Sequence, residues 1–227
     1  MSYTNPSITH DPLEVLPGVG KAVASRLHRL GINDLRGLAE HFPHRYEDWT
    51  NPRSIQSLQI GDKAIVIRAK IVKLEAARSP RRRMHLTHAE LEDETGRLLA
   101  TWFNQPYLAQ VLKVGETRYF RGTVGYDQSR RLKLLASPTH QLQAMLVPIY
   151  GETAGLTSRQ ISLLLHKNWS AFSHVPDTLP DSVLSDYHFA SRASALAMIH
   201  QPKNQAEIEL GRYRFAFEEL FWFAAQN

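Results

Sequence analysis

The chain has 227 residues, 43% hydrophobic and 22% charged, enough apolar material for one large or two small packed cores and too much for a disordered tail. It has no cysteine, which excludes disulfide scaffolds, thiolate zinc sites and cysteine nucleophiles. Its formal net charge is +5, divided as 21 Lys and Arg against 14 Asp and Glu over residues 1–149 and 6 against 8 over residues 150–227, so the basic character belongs to the first two-thirds.

The first zone, residues 1–52, reads as a small helical unit. Leu16-Pro-Gly-Val-Gly-Lys21 opens a helix in which Val23, Leu27 and Leu30 recur at helical spacing, and Gly31 stands where a C-cap wants positive φ. A second short helix follows, with Asn33 or Asp34 as N-cap, through Ala39, and stops before Pro43. The result is helix-hairpin-helix-like. Gly18, Gly20 and Lys21 form a candidate phosphate contact, because glycine N–H groups at a helix N-terminus can cradle an anion; a plain turn is the alternative. A nucleotide-binding loop is excluded here, since Val15 stands where its first Gly belongs and Ala22 where its Ser or Thr belongs.

The second zone, residues 53–143, is strand-like. Residues 64–74 alternate, with Ile65, Ile67, Ala69 and Ile71 against Arg68 and Lys70, and reach a basic tip at Ser79-Pro-Arg-Arg-Arg83. Further strands are expected over 84–92, 97–103, 117–126 and 130–137, with a short helix near 106–112. Five strands with a helix between the third and fourth is the order of an OB-fold barrel, with a split sandwich as the alternative. The third zone, residues 144–227, turns helical, with Thr157 as N-cap, then helices over 193–199 and 206–225. The last ends at Phe221-Trp222-Phe223 with no evident cap, so a continuing parent chain is expected, this zone being a helical linker. The fold class is therefore α+β.

Within this frame the candidate chemistry is binding. Arg78, Arg81, Arg82 and Arg83 gather on one hairpin, and Arg118, Arg121, Arg130, Arg131 and Lys133 add charge on the last two strands; a shared face would give a basic track for phosphates. Trp102-Phe-Asn-Gln-Pro-Tyr107 puts Phe103 and Tyr107 where a strand gives way to a loop, either stacking on bases or packed in the barrel end. His85 and His88, three apart on a strand, point to opposite faces, and Pro43 breaks the helix that would align His41 with His44, so no metal site is expected. Asp93 with Glu94, and Glu218 with Glu219, read as turn and helix surface rather than acid/base pairs, so no catalytic residue is assigned. No apolar run reaches the roughly 18 residues of a membrane span and no secretion leader is present, so a soluble cytoplasmic protein is expected.

Several stretches together resemble the bacterial RecG ATP-dependent DNA helicase family. They are Leu16-Pro-Gly-Val-Gly-Lys21, His41-Phe-Pro-His-Arg-Tyr-Glu-Asp48, Leu91-Glu-Asp-Glu-Thr-Gly96, Trp102-Phe-Asn-Gln-Pro-Tyr-Leu108, Val147-Pro-Ile-Tyr150 and Ala195-Leu-Ala-Met-Ile-His-Gln-Pro202, in the family's order. Ser137-Pro138 departs from the His-Pro expected there. The resemblance implies that the second zone is the wedge domain, which splits the arms of branched DNA, with junction-stacking aromatics at Phe103 and Tyr107 and, by position only, a basic wedge hairpin at Arg81–Arg83. It implies a parent helicase that hydrolyses ATP with Mg2+ and translocates 3′ to 5′, regressing stalled replication forks and branch-migrating Holliday junctions. The motor, and with it ATP and Mg2+, would lie outside these residues; no cofactor is expected in this piece, nor catalytic activity. Implied partners are branched DNA and single-stranded-DNA-binding protein, for a nucleoid-associated monomer. The rival readings are a stand-alone OB-fold single-strand binder and a module whose groove takes the acidic tail of single-stranded-DNA-binding protein.

Overall fold

Ile65, Ile67, Ala69 and Ile71 are buried while Arg68 and Lys70 are exposed, the period-two pattern of a strand with one face in a core. The structure, a computed structural model, describes residues 11–78, 84–127, 129–173 and 175–226, with backbone only at 138–140. Its elements in chain order are α1 (Lys21–His28), α2 (Leu35–Ala39), β1 (Arg45–Asp48), β2 (Ile65–Arg78), β3 (His85–Asp93), β4 (Gly96–Phe103), α3 (Leu108–Val111), β5 (Thr117–Tyr126), β6 (Leu132–Gln141), β7 (Leu146–Ile149), α4 (Ser158–Lys167), α5 (Asp181–Asp186), α6 (Arg192–His200) and α7 (Gln205–Ala225). They divide into two units: Asp48–Met145, and the described residues of Met1–Glu47 together with Leu146–Asn227.

The first of these is a closed barrel in the order β2-β3-β4-β6-β5. All neighbours run antiparallel except β4 and β6, which pair parallel at Leu99 with Lys133 through Thr101 with Leu135. That order, with α3 between the third and fourth barrel strands, is the expected five-stranded OB-type barrel. Its interior holds Ile67, Ile71, Leu91, Ala100, Phe120 and Leu134, and Leu108 and Leu112 from around α3 join the same core. Trp102 meets Phe120 edge-on, ring centroids 5.9 Å apart. The tight turn after β3 follows from Asp93, whose carboxylate accepts from the Thr95 and Gly96 N–H groups at 2.7 and 3.0 Å. β2 continues past the expected Leu74 to Arg78, because a register shift between Ile71 and Lys73 lets its outer half follow β3 beyond the barrel wall.

The second unit packs Leu13, Leu27, Leu38, Tyr150, Ile161 and Leu196 in one core. Helices that the sequence reading separates into a first and a third zone therefore share an interior. Asp34 caps α2 through the Gly37 N–H at 2.7 Å, and Thr157 caps α4 in a reciprocal box with Gln160. The two-stranded β1–β7 sheet and the short helix α5 are additions to the sequence reading. A four-residue strand paired with a partner a hundred positions away leaves no local periodicity to detect.

Candidate nucleic-acid interface

The end of β4 turns on alternation. Trp102 points into the barrel, 1% exposed, and donates its indole N–H to the Ser137 carbonyl at 2.8 Å. Phe103, the next residue, is 46% exposed, and Tyr107, at the start of α3, is 48% exposed. Two large aromatics are thus left open to water four residues apart on this barrel end. The link between them is held in shape: Asn104 adopts φ +54, and its N–H donates to the His85 carbonyl at 2.7 Å. The Gln105 carbonyl accepts from the Thr87 hydroxyl at 3.0 Å and from the Leu108 N–H at 3.2 Å.

Register places the strand ends that flank residues 79–83 at this same end. Phe103 pairs with Leu86, and Leu86 with Ala77, so the pair Arg78–His85 lies at the level of the aromatic loop, two strands or about 10 Å away. Arg78 is exposed. Arg81, Arg82 and Arg83 lie outside the described residues.

The arginines of the β5–β6 turn lie at the other end of the barrel. Because β6 runs parallel to β4 and starts beside Leu98, the β5–β6 turn bearing Arg130 and Arg131 lies at the far end of β4. β4 has eight residues, so its two ends are about 23 Å apart. Arg131 pairs with Asp127 at 3.0 Å, and exposed Arg130 adopts φ +59 in that turn. Arg118 forms a 2.6 Å pair with Glu116, and Arg121 sits half-buried on β5, paired in register with Val66. Between the two ends, a groove of about 320 Å³ on the outer face of β3 and β4 is lined by Lys73, Arg97 and Arg131 against Glu75, Glu90 and Asp127. Three cations face three carboxylates there, joined as Lys73–Glu75 and Arg97–Glu90 pairs, so it is no basic track. Burial pulls the Lys133 ammonium below its usual range, with Asp127 opposing that shift.

In the helical unit, Gly18 has φ +93 and Gly20 precedes the first turn of α1, beside exposed Lys21. A Cβ on Gly18 would lie 3.8 Å from the Lys167 ammonium nitrogen, so a second cation borders this hairpin. His88 bonds through Nδ1 to the Thr101 hydroxyl at 2.8 Å, and burial holds its pKa down. Sequence reasoning missed Thr87 and the partner of Trp102. The available signal is that a hydroxyl or an indole N–H at an inward barrel position must find an acceptor.

Comparison with known proteins fits this geometry. The description "RecG wedge domain" matches residues 12–172. The ATP-dependent DNA helicase RecG of Streptococcus pneumoniae is 32% identical over 230 residues, covering 96% of this chain and 32% of the relative. That of Thermotoga maritima is 30% identical, covering 92% and 27%. A solved structure of RecG bound to a three-way DNA junction is 27% identical with a TM-score of 0.83, covering 97% of this chain and 31% of that one. This chain thus spans about a third of the length of the curated relatives it matches. With the barrel, its exposed aromatic end and the matched residues in agreement, the chain belongs to the RecG family, through its wedge domain.

Proposed function

We propose that this chain is the branched-DNA-binding wedge portion of an ATP-dependent helicase that regresses stalled replication forks and branch-migrates Holliday junctions. The observation that carries the reading is the aromatic pair Phe103 and Tyr107, exposed on a barrel end that also bears the base of the Arg78–Arg83 hairpin. In the mechanism, phosphates of the arms run along that hairpin while the two rings cap the base pair at the branch point. Stacking on each ring, worth about 1–3 kcal/mol per base, offsets base stacking lost as the strands part. A solved relative is described as RecG bound to a three-way junction, which supports a branched partner.

Strand parting needs work that this chain does not supply. In this reading ATP and Mg2+ act in a motor outside these residues, and no catalytic role is given to any residue here. Gly18, Gly20 and Lys21, with Lys167 beside them, are a secondary phosphate contact. Arg130 and Arg131, at the barrel end opposite Phe103, contribute to the general field rather than to the cap, while Arg121, toward the Phe103 end across β6, adds to the phosphate contacts. The protein acts as a monomer. The rival in which the barrel groove takes the acidic tail of single-stranded-DNA-binding protein is less supported, since the groove's lining cations are matched by carboxylates.

The test is fluorescence anisotropy over a salt series with a three-way junction, a duplex and a single strand. Wild type prefers the junction and Phe103→Ala/Tyr107→Ala loses that preference. Equal affinity for all three substrates in the wild type points instead to a plain single-strand or duplex binder.

A further inference from the structure

The loop between Phe103 and Tyr107 is fastened from inside the barrel. Thr87 is fully buried on β3, opposite Trp102 in register, yet its hydroxyl donates outward to the Gln105 carbonyl at 3.0 Å. His85, two residues earlier, accepts the Asn104 N–H at 2.7 Å and holds a non-glycine residue at φ +54, a conformation that needs surrounding support. Both fasteners are thus on the first three residues of β3, where that strand leaves the basic hairpin and pairs with Arg78. The Gln105 carbonyl also accepts the Leu108 N–H at 3.2 Å, joining the clasp to the start of α3, just after Tyr107.

Resting on the wedge reading above, we infer that Thr87 is a positioning residue: its buried hydroxyl sets the loop that aims Phe103 and Tyr107, and it ties that loop to the strand leaving the arginine hairpin. Valine has the shape of threonine without the hydroxyl, so Thr87→Val removes the clasp and leaves Gln105 its Leu108 partner. The barrel interior stays filled.

The experiment compares Thr87→Val, Thr87→Ser and Phe103→Ala with wild type for junction and duplex affinity by anisotropy, and follows amide hydrogen exchange over residues 104–108. Thr87→Val is expected to lose about fivefold in junction affinity, the worth of one net hydrogen bond, with duplex affinity unchanged and faster exchange in the loop. Thr87→Ser, which keeps the hydroxyl, restores both. Wild-type junction affinity in Thr87→Val alongside a loss in Phe103→Ala overturns the role of Thr87 and leaves the wedge reading standing. Equal losses on junction and duplex, or no rescue by serine, reduce Thr87 to ordinary packing and also overturn it. No loss in Phe103→Ala removes the wedge reading itself, and the positioning role with it.

Discussion

The Tyr150 hydroxyl donates to Nδ1 of His200 at 2.9 Å, and the tautomer is dictated by the other side of the ring. Nε2 lies 2.8 Å from the Ala39 carbonyl, which can only accept, so the proton is on Nε2 and Nδ1 is the acceptor. His41 stacks on Tyr150 with centroids 6.0 Å apart, and the Tyr46 hydroxyl donates to the Ile199 carbonyl at 2.7 Å. Three of the stretches that carry the family resemblance, around His41, Tyr150 and His200, therefore meet in one buried network of the helical unit. They hold the frame of the helical unit.

That network predicts an acid-sensitive fold. Burial pushes His200 down to about 4, and also lowers His41. The folded state resists protonation that the unfolded chain accepts below about 6.5. Stability is therefore complete above that pH and falls by about 3 kcal/mol as pH drops toward 4. Urea titrations at pH 7.5, 6 and 4.5 should show this decline, and His200→Gln should flatten most of it. A decline of the same size in that variant would move the cause elsewhere.

A second network gives a sharper stability contrast. Arg192 and Arg214, 2% and 1% exposed, share Glu218, with Arg214 also 2.5 Å from Asp177 and Arg192 2.5 Å from Glu40. Arg214→Ala leaves two carboxylates short of a partner and is expected to destabilise the protein by about 3–5 kcal/mol. Arg36→Ala, at the exposed end of its pair with Glu40, should cost less than about 1 kcal/mol. Denaturant midpoints decide it, and similar values for the two variants would contradict this account.

Within the barrel, Gly122 marks where β5 and β6 come too close for a side chain. A Cβ there would meet the Leu135 carbonyl oxygen at 2.5 Å, whereas one on Gly125 meets only a Leu135 methyl at 3.8 Å. Gly122→Ala should lower stability by about 1–3 kcal/mol through forced strand separation, and Gly125→Ala by much less. Thermal melts of both variants settle the comparison; a tolerated Gly122→Ala would mean the bulge beside it relaxes freely.

Much of this architecture is legible in the sequence, for local reasons. The alternation of residues 65–71, the Asp93–Gly96 turn and the Thr157 cap each act within a few residues, and the helices and barrel order follow from them. The exposure of Phe103 is legible for the same reason, since Trp102 claims the inward position. What escapes is set by register. The β1–β7 pairing, the common core of Leu38 and Leu196, and the reach of Thr87 to Gln105 depend on which distant strands and helices become neighbours. Arg130 and Arg131 share no end with the hairpin base for a topological reason: the parallel β4–β6 pairing sends the β5–β6 turn to the end opposite Phe103.

That separation makes a salt prediction. Removing Arg81, Arg82 and Arg83 together should reduce the slope of log affinity against log salt by up to about 3. Arg131→Ala, already paired with Asp127, should change the slope by less than about 1. Equal slope changes would return the β5–β6 turn to the DNA path.

The claim that Phe103 and Tyr107 cap the branch-point base pair is tested most directly by a fluorescent base analogue placed at the branch of a three-way junction. Saturating wild type should shift its emission by restacking the base on protein, and Phe103→Ala/Tyr107→Ala, at concentrations that saturate the same DNA, should leave the emission near that of the free junction. An identical shift in both proteins would contradict the account and show that the junction is held without these rings.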